Sequence, residues 1–286
     1  MRHPNTSHAQ WWLAWFEVRG YVMEIQLLGC VEARARSGDK LPLPHGTKLL
    51  LAALAWTPGG FVADEALIER VWQERRPQHP RDALYIQATR LRKALRADGR
   101  QRAEGVELVR KRGGYILAVE EDSVDTARFR ALVREAQQAA RAGETDLALG
   151  HYGQALELWR GEPLADVRTA WAESARVALR REHREALIGS TELFLRAGRH
   201  EECLPQLHWL AEMHPFDEKV TGLLMLALHR GGRQADALDC FQLLRLRMVD
   251  LLGCEPGPEL RSLQERILAR DPRLRLGSAY AAASAV

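Results

Sequence analysis

Two nine-residue stretches, RAGRHEECL at 196–204 and RGGRQADAL at 230–238, place Gly198 and Gly232 34 residues apart. A repeat of that length holds two helices and the turn between them. Such a unit cannot bury its apolar face alone and must stack on its neighbours. An earlier stretch, RAGETDLALGHYGQALELW at 141–159, has the same layout of small residues and leucines. From about residue 125 to 270 the chain therefore reads as successive helices punctuated by glycine and proline.

The front of the chain follows a different plan. In MEIQLLGCVEAR, from Met23, Ile25 and Leu27 alternate with Glu24 and Gln26, as in a half-buried strand. Ser37-Gly38-Asp39 predicts a turn, and Leu41 and Leu43 a short second strand. A helix is predicted over 46–57, stopped by Pro58-Gly59-Gly60. A second follows with Asp64 as its cap and Leu67, Ile68, Val71 and Trp72 on one face. A third is predicted over 83–97 after Asp82. Residues 105–119 then predict two short strands joined by a basic turn containing glycine.

Strands, three helices and a hairpin in that order are the plan of a winged helix-turn-helix. The fold class expected is mainly α: an N-terminal α+β winged helix over 23–119, then an all-α, tetratricopeptide-like domain over 124–271. Residues 272–286, rich in Ala and Ser, read as a disordered tail. Residues 1–22 carry Trp11, Trp12 and Trp15 within five positions. They form an N-terminal extension, read either as residues ahead of a true start at Met23, the preferred reading, or as an aromatic arm that docks on a partner.

Charge separates the two halves. Residues 23–119 hold 17 basic and 11 acidic side chains, whereas 120–286 hold 22 and 26. The basic excess is concentrated in 81–112, with ten basic residues against four acidic. Nucleic acid bound at one end only fits this division, because counterion release from phosphates supplies most non-specific affinity. On the third helix, Leu84, Ala88, Leu91 and Leu95 fall in one narrow stripe that can face a core. Ile86, Thr89, Arg90, Lys93 and Arg96 fall opposite, with Tyr85 and Arg92 flanking. Arginine can pair with guanine edges, threonine can donate or accept, and Ile86 can sit against a thymine methyl. A charged helix face is more often plain solvated surface. Arg110, Lys111 and Arg112, beside Gly113-Gly114, add a second basic element where a wing would reach phosphate, and this favours DNA.

Other chemistry is weakly represented. Cys30, Cys203, Cys240 and Cys254 are dispersed and form no C-x-x-C pair, so reduced thiols and no zinc module are expected. No apolar run approaches the roughly 18 residues of a membrane span. His200-Glu201-Glu202-Cys203 opens like a metalloprotease motif, but Leu204 stands at the second histidine position. Cys203 reads as a small buried residue of a repeat helix instead of a nucleophile. Trp159 and Trp171 are expected to fill helix–helix packing in the second domain. The chain is read as a cytoplasmic, nucleoid-associated protein, with no enzymatic activity, cofactor, metal or membrane partner expected.

The run DALYIQATRLRKAL (82–95) followed by LVRKRGGYIL (108–117) resembles the OmpR-type winged helix of response regulators. The stretches MEIQLLGCVEA, LLLAALAWTPGGFVADEALIERVW, ALELWRGEPLADV, LMLALHRGGRQADAL and DLLGCEPGPELRSLQERIL extend the likeness over about residues 23–271. Together they resemble the Streptomyces antibiotic regulatory protein family, which joins such a winged helix to a bacterial transcriptional activator domain. The resemblance implies a transcriptional activator of a biosynthetic gene cluster that binds direct repeats of double-stranded DNA near the promoter and recruits RNA polymerase. It places Thr89, Arg90, Arg92, Lys93 and Arg96 at the DNA, with Arg110, Lys111 and Arg112 in the wing. The helical domain would dimerise or touch polymerase. Tyr85, Gln87 and Ala88 depart from the family pattern, the first two leaving the base preference open. With no G-x-x-x-x-G-K-[ST] and no receiver domain ahead of the winged helix, the likeness is to the small two-domain form. The alternative from another class is a repeat scaffold for protein partners, or a ligand-sensing regulator, whose DNA binding is only non-specific.

Overall fold

The computed structural model describes residues 23–35, 37–73, 75–96 and 106–274. The expectation for residues 1–22, and that for 275–286, lies outside the described residues. β1 (Met23–Gln26) and β2 (Glu32–Ala35) form an antiparallel pair with Met23 opposite Ala35. Three helices follow: α1 (His45–Ala55), α2 (Asp64–Trp72) and α3 (Pro80–Arg96). A second antiparallel sheet has the order β3-β5-β4, from β3 (Phe61–Ala63), β4 (Glu107–Lys111) and β5 (Gly114–Ala118). Seven more α-helices follow among the described residues: α4 (Asp125–Arg141), α5 (Thr145–Glu157), α6 (Ala170–Arg196), α7 (His200–Met213), α8 (Glu218–Arg230), α9 (Gln234–Leu252) and α10 (Pro258–Leu268). The fold is a winged helix-turn-helix followed by helices throughout.

Local sequence accounts for most of these elements. From Leu49 to Ala55, α1 is apolar all round and buried, and it serves as the central helix of the winged part. α3 opens at Pro80, earlier than the predicted start, because proline lacks the N–H that a first helical turn leaves unpaired. Asp64 lies in the first turn of α2, with Ala63 at the cap position, so it is not the cap its residue type suggested. Leu41 and Leu43 form no strand. Leu41 N–H donates to Ala33 at 2.8 Å, and only Lys40 bridges Arg34. The unforeseen strand β3 sets Ala63 opposite Gly114. A Cβ on Gly114 would lie 2.3 Å from the Val62 carbonyl oxygen, so only glycine fits this crossing.

The described residues fall into two compact units. One takes in the chain up to Arg134 together with Gln154–Glu182; the other takes in Glu135–Gly153 and the chain from His183. In the first unit the loop after β1 satisfies its backbone groups on distant residues. The Asp125 carboxylate accepts from Leu27 N–H at 2.8 Å and Leu28 N–H at 2.9 Å, and Asp166 accepts from Val31 N–H at 2.8 Å. In return, Leu164 N–H donates to the Leu27 carbonyl and Arg160 N–H to that of Leu28, both at 2.9 Å. The core runs from Ile25, Leu50 and Leu91 through Tyr115 to Leu164, Val167 and Ala172. The change of character at residues 119–124 therefore falls inside this unit. Trp171 packs edge-on against Trp56 of the winged part, ring centroids 5.9 Å apart, instead of between helices of the second domain. Trp159 packs on Phe129 at 5.4 Å.

The second unit shows what the glycine repeat encodes. Gly143, Gly198 and Gly232 each have φ between 74° and 80°. At each, the following N–H reaches back over the helix end: Glu144 to Ala139, Arg199 to Phe194 and Arg233 to Leu228. All three are the same left-handed glycine cap, which turns α4 into α5, α6 into α7 and α8 into α9. The Asp217 side chain caps α8, accepting from Lys219 and Val220 N–H. α8 is buried along Val220–His229. Pro272–Leu274 extend the fold beyond the predicted start of the tail. Leu274 is buried, and its carbonyl accepts from Arg230 Nε at 2.8 Å.

Candidate nucleic-acid interface

α2 and α3 form the helix-turn-helix. On α3 the stripe Leu84, Ala88, Leu91 and Leu95 is buried, as its spacing predicts. This leaves Tyr85, Ile86, Thr89, Arg90, Lys93 and Arg96 exposed, Tyr85 at 63 % and Ile86 at 48 %. Two large apolar side chains thus stand among the cations of this face. Arg90, Lys93 and Arg96 have no ion pair among the described residues.

Arg92 points elsewhere. Its Nε donates to the Leu108 carbonyl of β4 at 3.0 Å, and its guanidinium lies 5.7 Å from the centre of the Tyr115 ring. Arg110, on β4, covers the same ring at 4.5 Å. It also makes a two-pronged pair with Asp64 at the start of α2, with Nη2 to Oδ2 at 2.8 Å and Nη1 to Oδ1. The hydrogen bond it donates to Asp64 holds the Arg110 guanidinium above its ordinary pKa, and burial raises that of the Tyr115 phenol. Tyr115, 2 % exposed, is thus the pin around which recognition helix, wing and α2 are held together.

The wing turn is Arg112-Gly113, between Lys111 and its strand partner Gly114, with Gly113 at φ +80°. Lys111 and Arg112 are exposed and have no ion pair among the described residues. Gln87 is turned to α1, where it accepts from Thr47 Oγ1 at 2.9 Å, so this departure from the family pattern is a packing bridge. Of the ten residues singled out by sequence, the structure leaves eight on open surface without a partner of this kind, ties the exposed Arg110 to Asp64 and Tyr115, and half-buries Arg92. Sequence reasoning missed Asp64 and Tyr115 as their partners. Asp64 and Arg110 are 46 residues apart, and no local pattern joins them.

Cys203 is buried, its thiol donates to the His200 carbonyl at 3.2 Å, and burial pushes its pKa up to about 11. It is a protonated thiol, the inactive form for a nucleophile. Among the described residues no cluster of three or more His, Cys, Asp or Glu could hold a metal ion, and no helix is long and apolar enough to cross a membrane.

Comparison with known proteins identifies transcriptional regulators. The family model described as transcriptional regulatory protein, C terminal, matches residues 38–117, and the bacterial transcriptional activator domain matches residues 124–268. The chain is 34 % identical over 270 residues to the regulatory protein DnrI of Streptomyces peucetius, covering 92 % of this chain and 99 % of that one. It is 34 % identical to the transcriptional regulator RedD of Streptomyces coelicolor, covering 91 % and 74 %. The regulatory protein AfsR of the same organism is 38 % identical but much longer, the match spanning 83 % of this chain and 23 % of AfsR. Among solved structures, Mycobacterium tuberculosis EmbR in complex with a low affinity phosphopeptide superimposes with a TM-score of 0.81. It is 29 % identical, over 89 % of this chain and 68 % of that one.

Proposed function

The chain belongs to the Streptomyces antibiotic regulatory protein family of transcriptional activators, in its two-domain form, and from that premise we propose that it activates a secondary-metabolite gene cluster by binding direct repeats near the promoter and recruiting RNA polymerase. Residues 23–119 bind the DNA and 124–271 act as the activator domain. The observation that carries this reading is the contrast on one surface. Arg90, Lys93, Arg96, Lys111 and Arg112 are unpaired among the described residues, while Arg92 and Arg110 are tied to the scaffold.

Thr89 and Arg90, with Tyr85 and Ile86, are placed to read base edges and methyl groups. Lys93, Arg96, Lys111 and Arg112 are placed to hold phosphates. Direct repeats call for protomers set head to tail instead of about a two-fold axis. The contacts with polymerase and with a second copy are assigned to the helical part, where α9 leaves Leu243, Leu246 and Leu252 exposed. The protein works without catalysis or cofactor, in the cytoplasm on the nucleoid.

The test is fluorescence anisotropy of the chain on its own upstream intergenic DNA and on a shuffled sequence, at two salt concentrations. The expected result is a preference for the upstream DNA above roughly a thousandfold that persists at physiological salt. Equal affinity for both, collapsing as salt rises, would leave only electrostatic attachment and overturn the reading. In the same assay Lys111→Ala should weaken both DNAs alike and lower the salt slope by about one. A Lys111 effect confined to the upstream sequence would move that residue from phosphate to base.

A further inference from the structure

The first unit contains a cleft of about 570 Å³ that the DNA-binding reading does not use. It is bounded by the start of α1, the end of α2 and the segment just before α6. One wall is apolar, from Leu49 and Trp72. The rim carries His45, Arg75 and Arg168, and no acidic side chain lines it among the described residues. Many arginines of this unit are committed, apart from Arg90, Arg96 and Arg112 on the open face of α3 and the wing turn. Arg34, Arg76, Arg81, Arg110, Arg130 and Arg180 all sit in ion pairs. Arg75 and Arg168 have no ion pair among the described residues, and both face the same hollow.

The wall is held in place by an uncommon backbone. Gln73 sits at φ 50° and ψ −116°, a conformation L-residues rarely adopt, and its Oε1 accepts from Ala170 N–H at 2.8 Å. That bond fixes the end of α2 against the start of α6, which sets the width of the opening. Such off-pattern residues persist where surrounding structure enforces them, and they gather at ligand sites.

We propose that this cleft binds a small aromatic anion, its flat body against Leu49 and Trp72 and its carboxylate or phosphate head on Arg75 and Arg168, with His45 beside them. The size lies within the roughly 300–1,000 Å³ of small-molecule sites, and the lining joins an apolar patch of Leu49, Val71 and Trp72 to convergent polar groups. Paired guanidiniums match planar carboxylate and phosphate groups by two-pronged hydrogen bonds. The site is independent of the DNA-binding reading, since none of its rim residues belongs to α3 or the wing.

Isothermal titration of the full chain tests it with two probes, AMP and 1-naphthoate, which separate a phosphate head from a carboxylate head. Adenosine, 1-naphthalenemethanol and inorganic phosphate are the controls. The expected result is that at least one aromatic anion binds, with its neutral parent and free phosphate weaker by about tenfold or more. Arg168→Ala should lower its affinity by about tenfold with the circular dichroism spectrum unchanged, and Arg168→Lys should recover part of it. The proposal is overturned if neither anion binds, if the neutral parent or phosphate alone binds as well, or if Arg168→Ala changes nothing. A loss of DNA affinity in Arg75→Ala and Arg168→Ala, without any binding of the two anions, would assign the rim to the DNA backbone instead.

Discussion

Replacing Arg90 by alanine is expected to weaken binding to the cognate DNA by about 1–3 kcal/mol, between five- and 150-fold, while affinity for shuffled DNA changes little. Arg90 stands on the open face of α3 without an ion pair among the described residues, so its guanidinium is available to a base edge at no internal cost. Its neighbour Arg92 supplies the contrast. That side chain is engaged with the Leu108 carbonyl and the Tyr115 ring. Arg92→Ala should therefore loosen the wing, lower the thermal midpoint and reduce affinity on every sequence by a similar factor. Competition titrations with single-base operator variants separate the two. If Arg92→Ala relaxed base preference while Arg90→Ala did not, the assignment of readers along α3 would be reversed.

Replacing Asp125 by alanine should cost the first unit about 3–5 kcal/mol. The carboxylate is buried and accepts from two backbone N–H groups, and Arg160 lies 3.4 Å from it. Removing it leaves Leu27 and Leu28 N–H buried without an acceptor, and each such orphan costs about 1–3 kcal/mol. Burial pushes the Asp125 carboxyl up to about 6 from 3.8, against the pull of the two amides and Arg160. Its folded pKa lies above its unfolded one, so between about pH 4 and 6 the native state holds the extra proton. This part of the stability is present at pH 4, falls by ~3 kcal/mol as pH rises to 6, and is level above. Asp125→Asn cannot titrate and should lack that fall. Urea unfolding of both proteins from pH 4 to 7 gives the difference directly; parallel pH profiles would place the titration on another group.

Much of the interface could be read along the chain because it lies on one helix and one hairpin. The buried stripe Leu84, Ala88, Leu91 and Leu95 follows from a period of 3.6, and once it is placed, the opposite face of Arg90, Lys93 and Arg96 follows as well. Gly113 marks the wing turn for the same local reason, since glycine adopts φ +80° without a Cβ clash. Arg92 and Arg110 could not be told from their neighbours in this way. Nothing in composition or spacing says that an arginine will meet Leu108 or Asp64.

The order of elements, the winged helix ahead of a helical repeat, and the three glycine turns at 143, 198 and 232 were present in the amino-acid order alone, because each depends on side chains within a few turns of one another. Tertiary packing decided the rest. It placed Asp125 and Asp166 under the loop after β1, so that a compact unit runs past the end of the winged helix to residue 134 and takes in 154–182. It set Trp171 against Trp56, and it brought Arg75 and Arg168 to one cleft. These contacts join residues 90 or more positions apart. They arise where buried N–H groups need acceptors and apolar faces need cover, whichever part of the chain can supply them.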